Sequence, residues 1–282
     1  MYVSAAEDEV HSSWSLMVTA AQSIIQGVVR SRDASRQPPA LSRHFAARVP
    51  PSAMTAGGDP RAVSVLYCTG NDGKFKEASH VVEAYNARCA ARGSRFRATL
   101  TQVDPDPVEI QGDAADVARA KVTAALAALP PEALEGEDYV VTEDVGLSLR
   151  CLNGFPGPYC KPMLEAIGDR GLWDLASRYD DRAATVTCTL AAIRVRGGEE
   201  ARDASPRLHV GVIEGAILGP PRGDVKHGKA SWNSVFTPEG REKTFGELAF
   251  AEQAEFSHRK EALVKFLDAA AEAFSQEEDA TR

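Results

Sequence analysis

The sequence lacks several features that would place it in common classes of protein. No stretch approaches the roughly 20 consecutive apolar residues of a membrane-spanning helix, so we expect no membrane segment. The five cysteines form no CxxC pair, which argues against a zinc site and favours buried thiols in a reducing compartment. The net charge of −8 argues against a general nucleic-acid-binding surface. The GxxxxGK[ST] pattern of a P-loop is also absent.

Lysine is absent from residues 1–60, although this segment contains five arginines. Between residues 10 and 58 the only acid is Asp33, and such arginine-rich, acid-poor segments resemble mitochondrial presequences. Three acids at residues 7–9 depart from that pattern. We therefore predict that residues 1–60 are a largely disordered extension of a cytoplasmic protein, with mitochondrial targeting as the alternative.

The remaining sequence alternates between segments typical of strands and segments typical of helices. The predicted strands are residues 62–68, 95–103, 139–142, 184–195 and 208–218. The predicted helices are residues 74–91, 113–129 and 164–179, and a last helix capped by Ser257. This interleaving predicts an α/β fold with a mixed sheet. We assign residues 61–276 to one catalytic domain and residues 277–282 to a flexible tail.

The stretch TGNDGK, residues 69–74, joins the first predicted strand to the first predicted helix. Backbone N–H groups at a helix start bind anions. The helix dipole disfavours the cation of Lys74 at this position, and an anionic ligand would reverse that penalty. The stretch therefore indicates a phosphate site, with a capped surface helix as the alternative.

Two adjacent acids, Glu143 and Asp144, follow the short predicted strand 139–142. Such acids are costly to bury unless they are paired or bind a metal ion. Mg²⁺ prefers carboxylates together with phosphate oxygens, and Glu109 offers a third carboxylate. A solvated turn is the alternative interpretation of the pair.

Two further motifs present polar side chains. The loop at residues 153–162 contains two glycines and three prolines, which predicts a rigid loop that carries Tyr159 and Lys161. His258 and Arg259 follow the predicted cap Ser257, in the first turn of the last helix. They can donate hydrogen bonds to a ligand carbonyl, or Arg259 can pair with a nearby carboxylate.

Taken together, the motifs resemble the inosine triphosphate pyrophosphatase family over about residues 62–275. The matching elements, in chain order, are TGN-x-x-K-x-x-E (69–77), E-I-Q-G (109–112), Lys121, E-D-x-G-L (143–147), G-x-P-G-P-Y-x-K (154–161) and S-H-R (257–259). Each motif alone is weak, but six in order are specific.

The resemblance implies an elongated α/β fold of two lobes around a long mixed sheet, with the active-site cleft between the lobes and a homodimeric assembly. It implies hydrolysis of ITP, dITP and XTP to the monophosphate and pyrophosphate. Asp144 would activate water, and Lys74 would act with it in catalysis. Glu109 and Glu143 would bind Mg²⁺, with Mn²⁺ as an alternative ion. The residues implied in substrate binding are Thr69, Gly70, Asn71, Asp72, Gly73, Lys74, Lys121, Glu143, Asp144, Lys161, Ser231, Trp232, Asn233, Gln253, His258 and Arg259.

The chain departs from the family pattern around the expected base site. Members of the family usually carry an aromatic-Gly-aromatic-Asp-Pro run, where this chain has residues 230–234, ASWNS. Asn233 replaces a carboxylate, and Gln253 replaces a lysine. Two alternatives remain: a Maf-type pyrophosphatase, whose Ser-x-Ser-Pro-Arg-Arg stretch is absent, and a non-enzymatic nucleotide-binding protein.

Overall fold

The computed structural model describes residues 62–107, 110–196, 205–223 and 231–280. The predicted N-terminal extension and Glu109 lie outside the described residues. Among the described residues, no helix combines the length and the apolar character that crossing a bilayer requires.

The described strands form one sheet, and it is mixed, as predicted. Its strands are β1 (Val63–Cys68), β2 (Ala98–Val103), β3 (Tyr139–Leu149), β4 (Pro156–Gly157), β5 (Ala183–Arg194), β6 (Arg207–Ile217) and β7 (Phe236–Pro238). The order is β2-β1-β3-β5-β6-β7, with β4 paired to β3. Strand β1 runs parallel to β2 and β3, whereas every other pair is antiparallel.

Helices cover both faces of this sheet. They are α1 (Asp72–Ala91), α2 (Ala114–Ala128), α3 (Cys160–Ala176), α4 (Phe250–Phe256) and α5 (His258–Ala280). Side chains cap three of them, because Asn71, Asp113 and Ser257 each accept a hydrogen bond from a backbone N–H of the first turn. The caps predicted at Asp113 and Ser257 are therefore confirmed.

The alternation of side chains along β1 separates two parts of the core. Val65 and Tyr67 pack with α1 and α5, whereas Leu66 and Cys68 pack with α2 on the other face. A third cluster joins the far halves of β3, β5 and β6 to α3 and to residues 235–248. The long strands thus span two lobes with separate apolar clusters.

Three elements differ from the sequence prediction. Strand β3 continues to Leu149, because Leu147 and Leu149 are buried and the whole strand pairs with β5. Helix α3 begins at Cys160 and is interrupted at Gly168, where φ is +68°. Helix α5 extends to Ala280, so residues 277–280 are helical instead of part of the tail.

Candidate active site

A cavity of about 1300 Å³ is lined by residues from β1, β3, α1, α3 and α5. Its lining contains a charged group and an aromatic, amide-bearing group. The charged group includes Lys74, Asp104, Lys121, Glu143, Asp144, Lys161 and Arg259. The other group includes Ser231, Trp232, Asn233, Phe245, Gln253 and His258. Most of the residues that the sequence analysis singled out are therefore brought together here.

The start of α1 forms part of this lining. Asn71 Oδ1 accepts a hydrogen bond of 3.0 Å from the backbone N–H of Lys74, and Thr69 Oγ1 accepts one of 3.1 Å from the N–H of Asn71. Gly70 permits the close approach of Asp104, whose carboxylate would overlap a Cβ at that position. Asp72 and Gly73 are not among the lining residues, and Asp72 instead accepts a hydrogen bond from Gln102.

Glu143 and Asp144 lie within β3, and not after a strand as the sequence analysis expected. Successive side chains of a strand point to opposite faces of the sheet. Glu143 meets Tyr67 of β1 on the face covered by α1 and α5, whereas Asp144 lies 3.8 Å from Lys121 Nζ of α2. The two adjacent acids therefore have different partners.

The carboxylate of Glu143 is the centre of a buried polar network. Arg259 donates to it twice, each time over 2.7 Å, and the hydroxyl of Tyr67 donates to Oε2. Lys74 Nζ lies 3.1 Å from Oε1. Burial alone would raise the pKa of Glu143, but the charges of Arg259 and Lys74 hold it well below its usual range.

Arg259 is paired with carboxylates, which was the alternative interpretation of this residue. Its Nη1 donates to Glu77 Oε2, and its other donors bind Glu143. Ser257 Oγ donates to Glu77 Oε1 over 2.5 Å. Two buried acids therefore stabilise the guanidinium of Arg259 at this helix start.

His258 lies in an aromatic setting. Its ring centroid is 5.5 Å from that of Trp232 and 6.2 Å from that of Phe245. Neither ring nitrogen has a hydrogen-bond partner among the described residues. Burial and the charge of Arg259 lower the pKa of His258 well below its usual value, so the imidazole is neutral and offers one donor and one acceptor. Helix α5 can approach β6 closely here because Gly211 has no side chain. A Cβ at Gly211 would overlap the carbonyl oxygen of His258.

Amide side chains border the aromatic group. Asn233 is 4% exposed, and no described residue hydrogen-bonds its side-chain amide. Gln253 donates to the carbonyl oxygens of Phe245 and Leu248, over 2.5 and 3.2 Å. Both amino hydrogens of Gln253 are therefore engaged in holding the 3-10 turn Phe245–Glu247, and only its Oε1 remains to accept from a ligand.

The glycine- and proline-rich loop reaches β3 by a close backbone contact. A Cβ at Gly146 would lie 2.7 Å from the carbonyl oxygen of Gly157, so a larger residue would push the loop away. This contact brings the start of α3 to the cavity, where Tyr159 and Lys161 contribute to the lining. The predicted rigid loop thus has a defined packing position.

Comparison with known proteins identifies the family. The model of the Ham1 family matches residues 65–269. The inosine triphosphate pyrophosphatase of Yarrowia lipolytica is 35% identical over 72% of this chain and 93% of its own. The dITP/XTP pyrophosphatase of Methanopyrus kandleri is 32% identical over 73% of this chain and 95% of its own. The chain belongs to the Ham1 family.

A solved Ham1 protein from Coxiella burnetii supports the same fold. It superposes with a TM-score of 0.54 at 21% identity, over 74% of this chain and 99% of that one. The Ham1 match covers every described strand except the first two residues of β1. The predicted family and the predicted α/β fold are therefore confirmed.

Of the Mg²⁺ site predicted at Glu109 and Glu143, the structure describes only Glu143, and the surroundings of that carboxylate do not fit a metal ion. The carboxylate of Glu143 is 2% exposed and already has Arg259, Lys74 and Tyr67 as partners, which leaves no position for a metal ion. Within the described ranges, no group of three or more His, Cys, Asp or Glu side chains is arranged to hold an ion. Glu109 lies outside those ranges.

Several participants in this Ham1 site, Glu77, Tyr67 and Phe245 among them, were not predicted as site residues. Glu77 closes the motif that begins at Thr69, and that position in the motif was the signal available from the sequence. In the structure it is buried on α1. Tyr67 is fully buried in β1, where the sequence shows only another strand residue. Phe245 reaches His258 from a turn that has no helical or strand periodicity.

Proposed function

We propose that this protein hydrolyses the non-standard purine nucleoside triphosphates ITP, dITP and XTP to the monophosphate and pyrophosphate, which would remove them from the nucleotide pool. The observation that carries the proposal is one cavity that combines three lysines and Asp144 with a buried aromatic surface. The names of the relatives, inosine triphosphate pyrophosphatase and dITP/XTP pyrophosphatase, support it.

The charged group suits a triphosphate. Lys74, Lys121 and Lys161 supply positive charge, and the N-terminus of α1 supplies backbone N–H groups. During hydrolysis, negative charge increases on the departing pyrophosphate. Cations that are held in place before the reaction stabilise that charge more strongly than mobile water does.

Asp144 is the proposed general base. Its side chain is 22% exposed in the cavity, unlike the 1% of Glu143, so water reaches it. A water oxygen would attack the α-phosphorus while Asp144 accepts a proton, and the bond between that phosphorus and the bridging oxygen to the β-phosphate would break. Base catalysis of this kind contributes about 10²–10⁴-fold.

The aromatic group suits a purine base. Trp232 and Phe245 offer ring surfaces, and the neutral His258 offers a donor and an acceptor that have no described partner. A donor directed at a 6-oxo group would remain unpaired against the 6-amino group of adenine. Unpaired buried groups of this kind give strong rejection of the wrong substrate.

We also propose dependence on a divalent cation, with Mg²⁺ the expected ion and Mn²⁺ the alternative. The family resemblance and the negative charge of the substrate support this proposal, whereas the described residues alone do not form the site. Removal of divalent ions with EDTA should abolish turnover, and added Mg²⁺ should restore it. Turnover that survives EDTA and extensive dialysis would contradict the proposal.

The decisive experiment measures products from a panel of ITP, dITP, XTP, GTP and ATP. We expect IMP and pyrophosphate in equal amounts from ITP, separated by chromatography, and a much lower rate for ATP. Orthophosphate as the first product would exclude this reaction type. Binding of ITP without turnover would favour a non-enzymatic nucleotide-binding protein.

Three broader proposals rest on the resemblance. We propose a homodimer, which light scattering coupled to size-exclusion chromatography would test. We propose that residues 61–276 form the catalytic domain, which the match to residues 65–269 supports. We propose a cytoplasmic location, with mitochondrial import as the alternative, which imaging of the tagged full-length chain would distinguish.

A further inference from the structure

Glu143 has more polar partners than a buried structural carboxylate needs. Arg259 alone satisfies one lone pair on each oxygen, at 2.7 Å in both cases. Tyr67 and Lys74 occupy further positions on the same two oxygens. Of these partners, Lys74 is the one that reaches water, with 27% of its side chain exposed against 6% for Arg259. The network is therefore buried except at the ammonium of Lys74, which reaches the cavity.

From this arrangement, we infer that Glu143 is a positioning residue that fixes the ammonium of Lys74 in the cavity, and that Tyr67 and Arg259 hold Glu143 in the orientation that does so. The inference rests on the proposed function, because it assigns Lys74 to the polyphosphate. It replaces the metal-binding role that the sequence analysis gave to Glu143.

The physical argument concerns conformational freedom. A lysine side chain has four rotatable bonds, and an unrestrained ammonium would lose that freedom each time it bound a phosphate. Glu143 is held in place while Lys74 moves, because Arg259 donates hydrogen bonds to both of its oxygens and also binds Glu77. The ammonium is thus held before the substrate arrives, and such preorganised charge is what stabilises a transition state.

A double-mutant cycle between Glu143 and Lys74 tests the inference. Glu143→Gln in the wild-type background should lower kcat/KM for ITP by about 10²-fold, the scale of losing one preorganised charged donor. In a Lys74→Ala background the same change should cost less than about threefold, since the ammonium to be positioned is gone. The matched control pairs Glu143→Gln with Lys121→Ala. Lys121 contacts Asp144 on the opposite face of the sheet. The decreases in kcat/KM caused by Lys121→Ala and Glu143→Gln should therefore multiply.

Tyr67→Phe provides a second variant if Glu143→Gln fails to fold. It removes one hydroxyl and keeps the carboxylate, Arg259 and the aromatic ring. We expect a loss of about 3–10-fold in the wild-type background, the scale of one hydrogen bond to a charged group when partly compensated, and no further loss in the Lys74→Ala background. Equal losses in both backgrounds, for either variant, would overturn the inference and leave Glu143 a stability residue.

Binding of inorganic pyrophosphate separates this inference from the proposed function. Its dissociation constant can be measured by calorimetry whether or not ITP is hydrolysed. We expect Lys74→Ala and Tyr67→Phe to weaken pyrophosphate binding with the same non-additivity. If wild-type protein does not hydrolyse ITP but shows this coupling, the proposed function fails and the positioning role stands. If wild-type protein does not bind pyrophosphate, or if the losses multiply in folded variants, the positioning role fails.

Discussion

Arg259 binds Glu143 through two parallel hydrogen bonds, from Nε to Oε2 and from Nη2 to Oε1, each 2.7 Å long. The pair lies out of water, with Arg259 5% and Glu143 2% exposed. Removing one member of a buried ion pair is costly, because the other charge is then left without a partner. In this protein the cost is compounded, since Arg259 also neutralises Glu77.

We therefore expect Arg259→Ala to destabilise the fold by about 3–5 kcal/mol, as is typical when a buried pair is broken. For a domain of this size, that corresponds to a fall in Tm of roughly 6–20 °C. The matched control is Arg150→Ala. Arg150 binds Asp181 with the same two-bond geometry but is exposed, so its loss should change Tm far less. Similar Tm values for both variants would show that Arg259 acts mainly on a ligand.

Asp144→Asn should separate catalysis from stability. The amide preserves the shape of the side chain but cannot accept a proton from water, so kcat for ITP should fall by about 10²–10⁴-fold. Its Tm should stay close to that of the wild type. Asp144 is partly exposed, and its carboxylate lies 3.8 Å from Lys121 Nζ, which is a long distance for an ion pair. If more than about a tenth of the wild-type rate remains, a different group is the base.

The fold was largely predictable from the sequence, because alternation and capping are local signals. Strand β1 and the caps at Asp113 and Ser257 follow from neighbouring residues alone. Strand β3 was predicted too short, since Glu143 and Asp144 break its apolar pattern. The placement of Glu143 depends on Arg259, which is more than 100 residues away in the chain. No local pattern carries that information.

The candidate site was predictable in its members but not in its pairings. The motifs brought Lys74, Glu143 and Arg259 together, and the family resemblance assigned each of them to a ligand. In the structure the three side chains pair with one another, and only for Arg259 had the sequence analysis offered a carboxylate partner as an alternative. A sequence gives the charge of a side chain, whereas its partner is set by tertiary packing. Gln253 shows the same limit, because its engagement with the carbonyl oxygens of Phe245 and Leu248 depends on a turn without periodicity.

The stability of the protein should fall as the pH decreases below about 6.5, and His258 contributes to this fall. Its pKa in the folded state lies well below the value of 6.5 that applies to the unfolded chain. The unfolded state therefore binds a proton first, and stability is lost between pH 6.5 and the lower folded-state pKa. One such group gives a slope of up to about 1.4 kcal/mol per pH unit.

Replacing His258 by Phe should flatten that slope, because both ring nitrogens lack described partners and the site is aromatic. Denaturant unfolding at pH 7.0, 6.0 and 5.0 measures the effect, and this interval lies above the acid range in which Glu143 contributes. His80→Phe, at an exposed position of α1, controls for the replacement of an imidazole by a phenyl ring. An unchanged slope in His258→Phe would assign the pH dependence to other groups.

Deletion of residues 1–60 should leave hydrolysis of ITP intact. The match to the Ham1 family begins at residue 65, and all residues that line the cavity follow Ser64. Values of kcat and KM for the truncated and full-length chains test this. Loss of activity on truncation would show that the segment contributes to the site or to assembly. Appearance of a shorter mature chain in mitochondria would instead identify the segment as a presequence.

Asn233→Asp should increase the preference for ITP over ATP. The amide of Asn233 has no described partner to fix its orientation, so it can present either its oxygen or its NH₂ group to a base. Hypoxanthine has an N1–H donor, whereas N1 of adenine is an acceptor. A carboxylate only accepts, so it suits the first base and opposes the second. Because a mismatched buried polar group is strongly rejecting, the ratio of kcat/KM for ITP to that for ATP should rise by at least about tenfold.

The same change at Asn153, which is exposed in a turn outside the cavity lining, controls for added charge and should leave the ratio unchanged. An equal ratio for wild type and Asn233→Asp would show that Asn233 does not face the purine N1, and that His258 and the aromatic rings discriminate without it.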